Sequence, residues 1–123
     1  MLLSRSPHEA YRRVDFDARV EGADPGELVK LCYEQLSGAL GTAIYAHEQG
    51  DNRLRSQSLT RALSAVTALQ LGVDGDTGVS AALLQLYTAT RRSILDSALE
   101  FDSELIGSIR QDFLDILKAM RSV

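Results

Sequence analysis

Residues 24–49 read DPGELVKLCYEQLSGALGTAIYAHEQ, and this stretch decides the fold. Asp24 is a favourable N-cap residue, Pro25 suits the first helical position, and Glu27 can reach back to the cap. Beyond the cap, the apolar residues recur at a helical period. One broad face of this predicted helix forms the expected core stripe, which consists of Leu28, Cys32, Leu36, Ala39, Leu40 and Ala43.

The other side of the same helix carries a second strip of small and apolar residues. It consists of Leu31, Gly38, Thr42 and Tyr45, with Gly41 close by. Two glycines inside a helix cost about 1 kcal/mol each relative to alanine, so their presence needs a reason. A flat strip lets a second helix approach closely. Either another helix of the same domain or an external partner could fill it, and these residues leave both open.

Three further amphipathic helices are predicted over residues 51–72, 79–100 and 102–120, with short connections between them. Their predicted core faces are Leu59, Ala62, Leu63, Val66 and Leu69 in the second helix, Val79, Leu83, Leu86, Tyr87, Thr90 and Ile94 in the third, and Leu105, Ile106, Ile109, Phe113, Ile116, Leu117 and Met120 in the fourth. No stretch reads as a convincing strand. Four long helices with short loops predict an all-α, antiparallel up-and-down four-helix bundle.

The third helix also carries more apolar surface than one core needs. An arc beside its core face consists of Ala81, Leu84, Thr88, Leu95 and Leu99. A monomer that leaves this arc bare exposes an interaction patch. The neighbouring pair Arg91 and Arg92 could contact carboxylates of a partner or simply be solvated, and solvation is the commoner role of such a pair.

The first 24 residues read differently from the rest. Ser6 and Pro7 can start a short helix, and Tyr11 and Val14 would share one of its faces. A helix below about 12–15 residues is marginal alone, so it must dock or stay mobile. We therefore expect a mobile or lid-like segment over residues 1–24 and the bundle over residues 25–123.

Composition excludes several classes of function. The chain has 123 residues, with 13 Lys+Arg against 17 Asp+Glu and a net charge of −4, so attraction to nucleic acid or an anionic membrane is not favoured. A single cysteine cannot form an internal disulfide. No run approaches the roughly 18 apolar residues of a membrane span. These features predict one cytoplasmic domain that contacts neither nucleic acid nor membrane.

The residues of catalytic and metal sites are missing in the required spacing. His8 and His47 have no partner at helical ligand spacing, and Cys32 lies on the core stripe. The loop GVDGDTG at residues 72–78 departs from the calcium-binding pattern at its later ligand positions, and it lacks the Lys-Ser/Thr of a phosphate loop. We therefore predict no enzyme activity, no metal and no cofactor.

Several short segments together resemble one known family. They are Ala10-Tyr11, ADPGELV at residues 23–29, LCYE at 31–34, the turn Gly50-Asp51 and LYTATRRSIL at 86–95. In order and spacing, from Ala10 to Met120, they are similar to the FliS family of flagellar export chaperones. Two features depart from the family pattern, since residues 100–102 read EFD and the chain contains no Trp.

The resemblance implies a cytoplasmic chaperone for type III flagellar secretion. Such proteins bind the disordered C-terminal segment of flagellin in apolar grooves and prevent premature polymerisation. The candidate partner-binding residues come from the second strip of the first helix, the arc of the third helix with its arginine pair, and the N-terminal helix. They are Tyr11, Val14, Leu31, Gly38, Gly41, Thr42, Tyr45, Leu84, Thr88, Arg91, Leu95 and Leu99. The N-terminal segment with Tyr11 could cover a groove or contact the client. An export-apparatus protein, a flagellar regulator and a homodimer stay open as further partners, and a self-associating structural or regulatory bundle is the alternative function.

Overall fold

A computed structural model describes residues 19, 22, 24–75 and 77–122 of the chain. Within these residues it contains four long helices and no strand. They are α1 (Pro25–Glu48), α2 (Asn52–Gly72), α3 (Gly78–Leu99) and α4 (Ser103–Arg121). The prediction of an all-helical four-helix bundle is confirmed, and the helix bounds agree with the sequence pattern to within a residue or two.

Each helix begins at a polar side chain that accepts a hydrogen bond from a backbone N–H group three residues later. The four caps are Asp24, Asp51, Thr77 and Asp102, with donor–acceptor distances of 2.9 to 3.2 Å. Such a bond satisfies one of the N–H groups that have no partner within the helix. The predicted cap at Asp24 is therefore confirmed, and Asp51 caps α2.

Gly50 ends α1 because the chain must turn there in a left-handed conformation. Its φ angle is 70°, which is strained for residues that carry a Cβ atom. The Gly50 N–H donates to the carbonyl of His47 at 3.2 Å, and the Asp51 N–H donates to that of Ala46 at 2.8 Å. This pair of bonds is a Schellman motif, so α1 stops within two residues and α2 returns beside it.

The four helices form a ring in chain order. Contacts join α1 with α2, α2 with α3, and α4 with α1, whereas α3 and α4 touch only sparsely. α1 and α3 therefore lie diagonally across the bundle. Their outer faces point in opposite directions, so one straight partner segment cannot lie on both faces.

Three aromatic side chains fill the centre and join the diagonal helices. Tyr33 of α1, Tyr87 of α3 and Phe113 of α4 are at most 3% exposed. The two tyrosine hydroxyls are 2.8 Å apart, and the Tyr33 and Phe113 ring centroids are 5.1 Å apart in an edge-to-face arrangement. Burial, then the hydrogen bond with Tyr87, raises the pKa of Tyr33, and burial raises the pKa of Tyr87. Both stay neutral and hold the core together.

Two residues predicted for the core are exposed instead. Val79 in the first turn of α3 is 70% exposed and Leu105 in the first turn of α4 is 42% exposed. The pairs Gln70–Thr88 (3.2 Å) and Thr67–Arg91 (3.4 Å) set the antiparallel register of α2 and α3. In this register Val79 lies beyond the end of α2, so no helix covers it. Leu105 lies beside the connection between α3 and α4.

Candidate functional site

An exposed row of apolar and small side chains follows the outer face of α3. We call it the α3 stripe, and it consists of Ala81, Leu84, Thr88, Leu95 and Leu99. The exposed fractions of its leucines rise from 39% at Leu84 and 43% at Leu95 to 93% at Leu99. At 100° per residue the five positions fall within a narrow arc, so they form one surface. The arc that the sequence pattern marked as surplus is thus solvent-exposed.

Two arginines border the α3 stripe. Arg92 lines a shallow, mostly apolar groove with Leu84 and Thr88, and Arg91 reaches toward α2, where its Nε donates to Thr67 Oγ1 at 3.4 Å. Apolar side chains between two guanidinium groups suit an amphipathic partner helix that carries carboxylates along its edge. Arg92 was absent from the predicted site. The signal for it was its position one helical turn after Thr88.

The strip on the outer face of α1 is interrupted. Gly38 faces open space, Tyr45 is 57% exposed, and the Thr42 hydroxyl donates to the Gly38 carbonyl at 3.0 Å. Leu31, by contrast, is only 6% exposed. Gly41 is covered by a side chain from another helix of the same bundle.

That covering side chain belongs to Arg110 of α4. A Cβ atom at Gly41 would lie 2.8 Å from Arg110 Nε, which donates to the Ser37 carbonyl at 3.1 Å. Gly41 thus permits the close approach of α1 and α4. Of the two glycines inside α1, Gly41 lets a side chain of α4 pack against the helix, and Gly38 leaves a flat position open to solvent.

The two glycines predict different effects of alanine on stability, a gain at Gly38 and little or no gain at Gly41. Gly38→Ala should raise the free energy of unfolding by about 0.5–1 kcal/mol, because only the backbone entropy changes. Gly41→Ala gains the same helix propensity but displaces Arg110, and the lost hydrogen bond costs about 0.5–1.5 kcal/mol. Urea denaturation of the matched pair measures the difference. Equal stabilisation by both changes would mean that Arg110 does not cover Gly41 in solution.

The structure does not bring the predicted binding residues to one place. The α3 stripe and the exposed part of the α1 strip lie on opposite sides of the bundle, because their helices are diagonal. A single partner that contacts both must therefore pass around the molecule. Tyr11 and Val14 lie outside the described residues.

Nothing in the described part of the chain resembles a catalytic or metal centre. Among these residues no group of His, Cys, Asp and Glu side chains could hold a metal ion. Burial raises the pKa of the Cys32 thiol, which disfavours the nucleophilic thiolate. No helix in the described ranges is both long and apolar enough to cross a bilayer.

These features define a helical bundle that exposes apolar side chains on its outer surface. The family model described as Flagellar protein FliS matches residues 7–123, so the chain belongs to the FliS family. The chain is also 25% identical over 125 residues to the Flagellar secretion chaperone FliS of Salmonella typhimurium (strain LT2), an alignment that covers 99% of this chain and 93% of that protein. The predictions of the family and of a protein that is not an enzyme are confirmed.

Proposed function

We propose that this chain is a flagellar secretion chaperone that binds the disordered C-terminal segment of flagellin in the cytoplasm. Binding keeps that segment from polymerising early and presents it for type III secretion. The observation that carries the proposal is the exposed α3 stripe, with Leu84, Leu95 and Leu99 unpartnered on one helix face. Family membership supports the flagellar role, and the α3 stripe supplies a surface for a partner.

The size of the α3 stripe argues for a client that wraps around the bundle. Fully burying a leucine side chain contributes about 1.5–3 kcal/mol, and the three leucines are already partly covered. If the client buries an equal apolar area of its own, the free energy gained is roughly 6–10 kcal/mol. Ordering a disordered segment then costs roughly 2–5 kcal/mol of this gain. Micromolar affinity needs about 8 kcal/mol net. Further contacts are required, and Tyr45 on the opposite side offers one.

Arg19, near the end of the N-terminal segment, forms an ion pair with Glu34 beside the α1 strip. Glu34 lies on the same outer face as Gly38, and its Oε1 accepts a hydrogen bond from Arg19 Nη2 at 2.9 Å, while Arg121 pairs with its other oxygen. An exposed ion pair of this kind contributes at most about 1 kcal/mol and is readily exchanged. This anchoring supports a lid role, in which residues 1–24 compete with the client for the bundle and are replaced by it.

The test is a calorimetric titration of the full chain with a flagellin C-terminal segment. We expect saturable binding with a negative heat-capacity change, because apolar surface is buried. Binding should also delay flagellin polymerisation in a turbidity assay. The same titration with residues 1–16 deleted should show affinity higher by up to about tenfold if the segment acts as a lid. Weaker binding after the deletion would make the segment a client contact.

A different result would favour self-association. If no heat is exchanged and sedimentation of the free chain shows a concentration-dependent oligomer, the α3 stripe serves a second copy instead of a client. In that case Leu95→Glu should return the oligomer to a monomer, because it places a charge in the contact.

A further inference from the structure

A cleft lies at the end of the bundle where α3 turns into α4. We call it the end cleft, and the residues that matter in it are Asp96, Leu99, Glu100, Phe101, Glu104 and Leu105. Leu99 and Leu105 are 93% and 42% exposed, so its apolar part is unpartnered. Carboxylates form its rim. Such a surface accepts an apolar side chain with cationic neighbours.

The floor of the end cleft is fixed by a stack of three side chains. The Phe101 ring lies 4.6 Å from the His47 ring, centroid to centroid, and the Arg55 guanidinium carbon is 5.7 Å from the Phe101 centroid. Arg55 Nη1 donates to His47 Nδ1 at 3.0 Å, since arginine has no acceptor. The Arg55 charge is therefore directed at His47 and Phe101 rather than at the carboxylates of the rim.

Two of the carboxylates at this end stand at the C-terminal end of α3, where the fold alone disfavours them. Asp96 and Glu100 occupy the last turn and the C-cap of α3, a turn without basic residues, and the helix dipole is unfavourable to negative charge there. Neither has an ion-pair partner among the described residues. Because both carboxylates are exposed, a cation from outside is the natural partner.

The end cleft is continuous with the α3 stripe. Leu99 belongs to both, and the distance along α3 from Leu84 to Leu99 is about 22 Å at the helical rise. Charge changes along this path, from Arg91 and Arg92 in the middle to the carboxylates at the end. A segment lying on the α3 stripe therefore meets surfaces of opposite charge in a fixed order.

We propose that the partner segment on the α3 stripe ends in the end cleft with lysine or arginine side chains flanking one apolar side chain. This inference rests on the proposed function and extends it, because it names the charge order of the partner. The apolar side chain packs between Leu99 and Leu105, and the cations face Asp96 and Glu100. The charge order then fixes the direction in which the segment lies along α3.

The test uses the double variant Asp96→Asn and Glu100→Gln in the full chain. Its probes are a synthetic amphipathic helical peptide with a leucine face and three lysines at one end, and the same peptide with glutamines there. We expect the variant to bind the lysine peptide about three- to tenfold more weakly than the intact chain in low salt. Added salt should reduce the difference, and the glutamine peptide should bind both proteins alike.

The control removes two carboxylates elsewhere on the bundle. Asp112→Asn with Asp115→Asn makes the same charge change on the exposed face of α4 and should leave both affinities unchanged. The test variant should unfold at the same or higher urea concentration, because its carboxylates oppose the helix dipole. Weaker binding by a protein that is no less stable is the expected signature.

The possible results separate this inference from the proposed function. Equal affinity of the intact chain and the double variant for the lysine peptide would overturn the inference, and failure of the lysine peptide to bind the intact chain would overturn it too. The flagellin segment is titrated in parallel. If that segment fails to bind while the lysine peptide depends on Asp96 and Glu100, the proposed client is wrong and the charge order of the end cleft stands.

Discussion

Replacing Leu84 and Leu95 with glutamate is expected to weaken binding of the flagellin C-terminal segment by about 100-fold or more. Both side chains lose the apolar area that the client would cover, and a desolvated carboxylate costs several kcal/mol unless it is paired. A change of 1.4 kcal/mol corresponds to a factor of ten, so two such losses suffice. Titration calorimetry of the purified double variant measures the effect.

The control is Val29→Glu, a single change of the same kind on the diagonal helix. Val29 is 37% exposed, close to the 39% of Leu84. We expect the affinity of the control to stay within about threefold of that of the intact chain, since one exposed charge contributes little. Urea unfolding must show both variants folded. If Val29→Glu and the double variant lose affinity equally, general charge rather than the α3 stripe controls binding.

Phe113→Ala is expected to lower the free energy of unfolding by about 3–5 kcal/mol. Phe113 is completely buried, and its ring contacts both Tyr33 and Tyr87. The cavity would open at the point where the diagonal helices meet. Because domains of this kind are stable by only about 5–15 kcal/mol, the variant should unfold at a clearly lower urea concentration.

Phe101→Ala supplies the comparison for the core. Phe101 is half-buried at the end of the bundle, against His47 and Arg55, so its loss should cost less than half as much as that of Phe113. If the urea denaturation curves of the two variants have equal slopes, the shift between their midpoints gives the difference in free energy of unfolding. A larger loss for Phe101→Ala would mean that the aromatic cluster is not the centre of the core.

The helices and their ends could be predicted because the signals are local. A cap such as Asp24 acts on an N–H group three residues away, and Gly50 acts on the turn in which it stands. The apolar period needs only the residues of one helix. The exposure of the α3 stripe could be predicted from the same apolar period. α3 has two apolar faces, and the core of the bundle can bury only one of them.

Contacts between distant residues could not be predicted in this way. Arg110 covers Gly41 and donates a hydrogen bond to the carbonyl of Ser37, which lies 73 positions before Arg110 in the sequence. No residue close to Gly41 in the sequence predicts this contact. Tyr33 lies at the edge of the predicted core face, and its bond with Tyr87 depends on which helices are diagonal. Val79 fits the core period, yet it lies past the end of α2. Helix register decides each of these cases.

The identity of the partner is encoded still less directly. Leu84, Leu95 and Leu99 define an apolar surface, and any amphipathic segment of suitable charge fits such a surface. The flagellar client is therefore inferred from the family, whereas its place on the bundle is inferred from exposure. These two inferences are tested separately. Titration with the flagellin segment tests the client, and the variants of the α3 leucines test where the client lies.

The proposed function places the client on the outer face of α3. Methyl NMR of the leucine-labelled chain, with and without the flagellin C-terminal segment, tests it most directly. We expect the Leu84, Leu95 and Leu99 methyl signals to shift on binding, while those of the buried Leu36 and Leu40 keep their positions. Binding that leaves the α3 leucine signals unchanged would contradict the claim and place the client on another face.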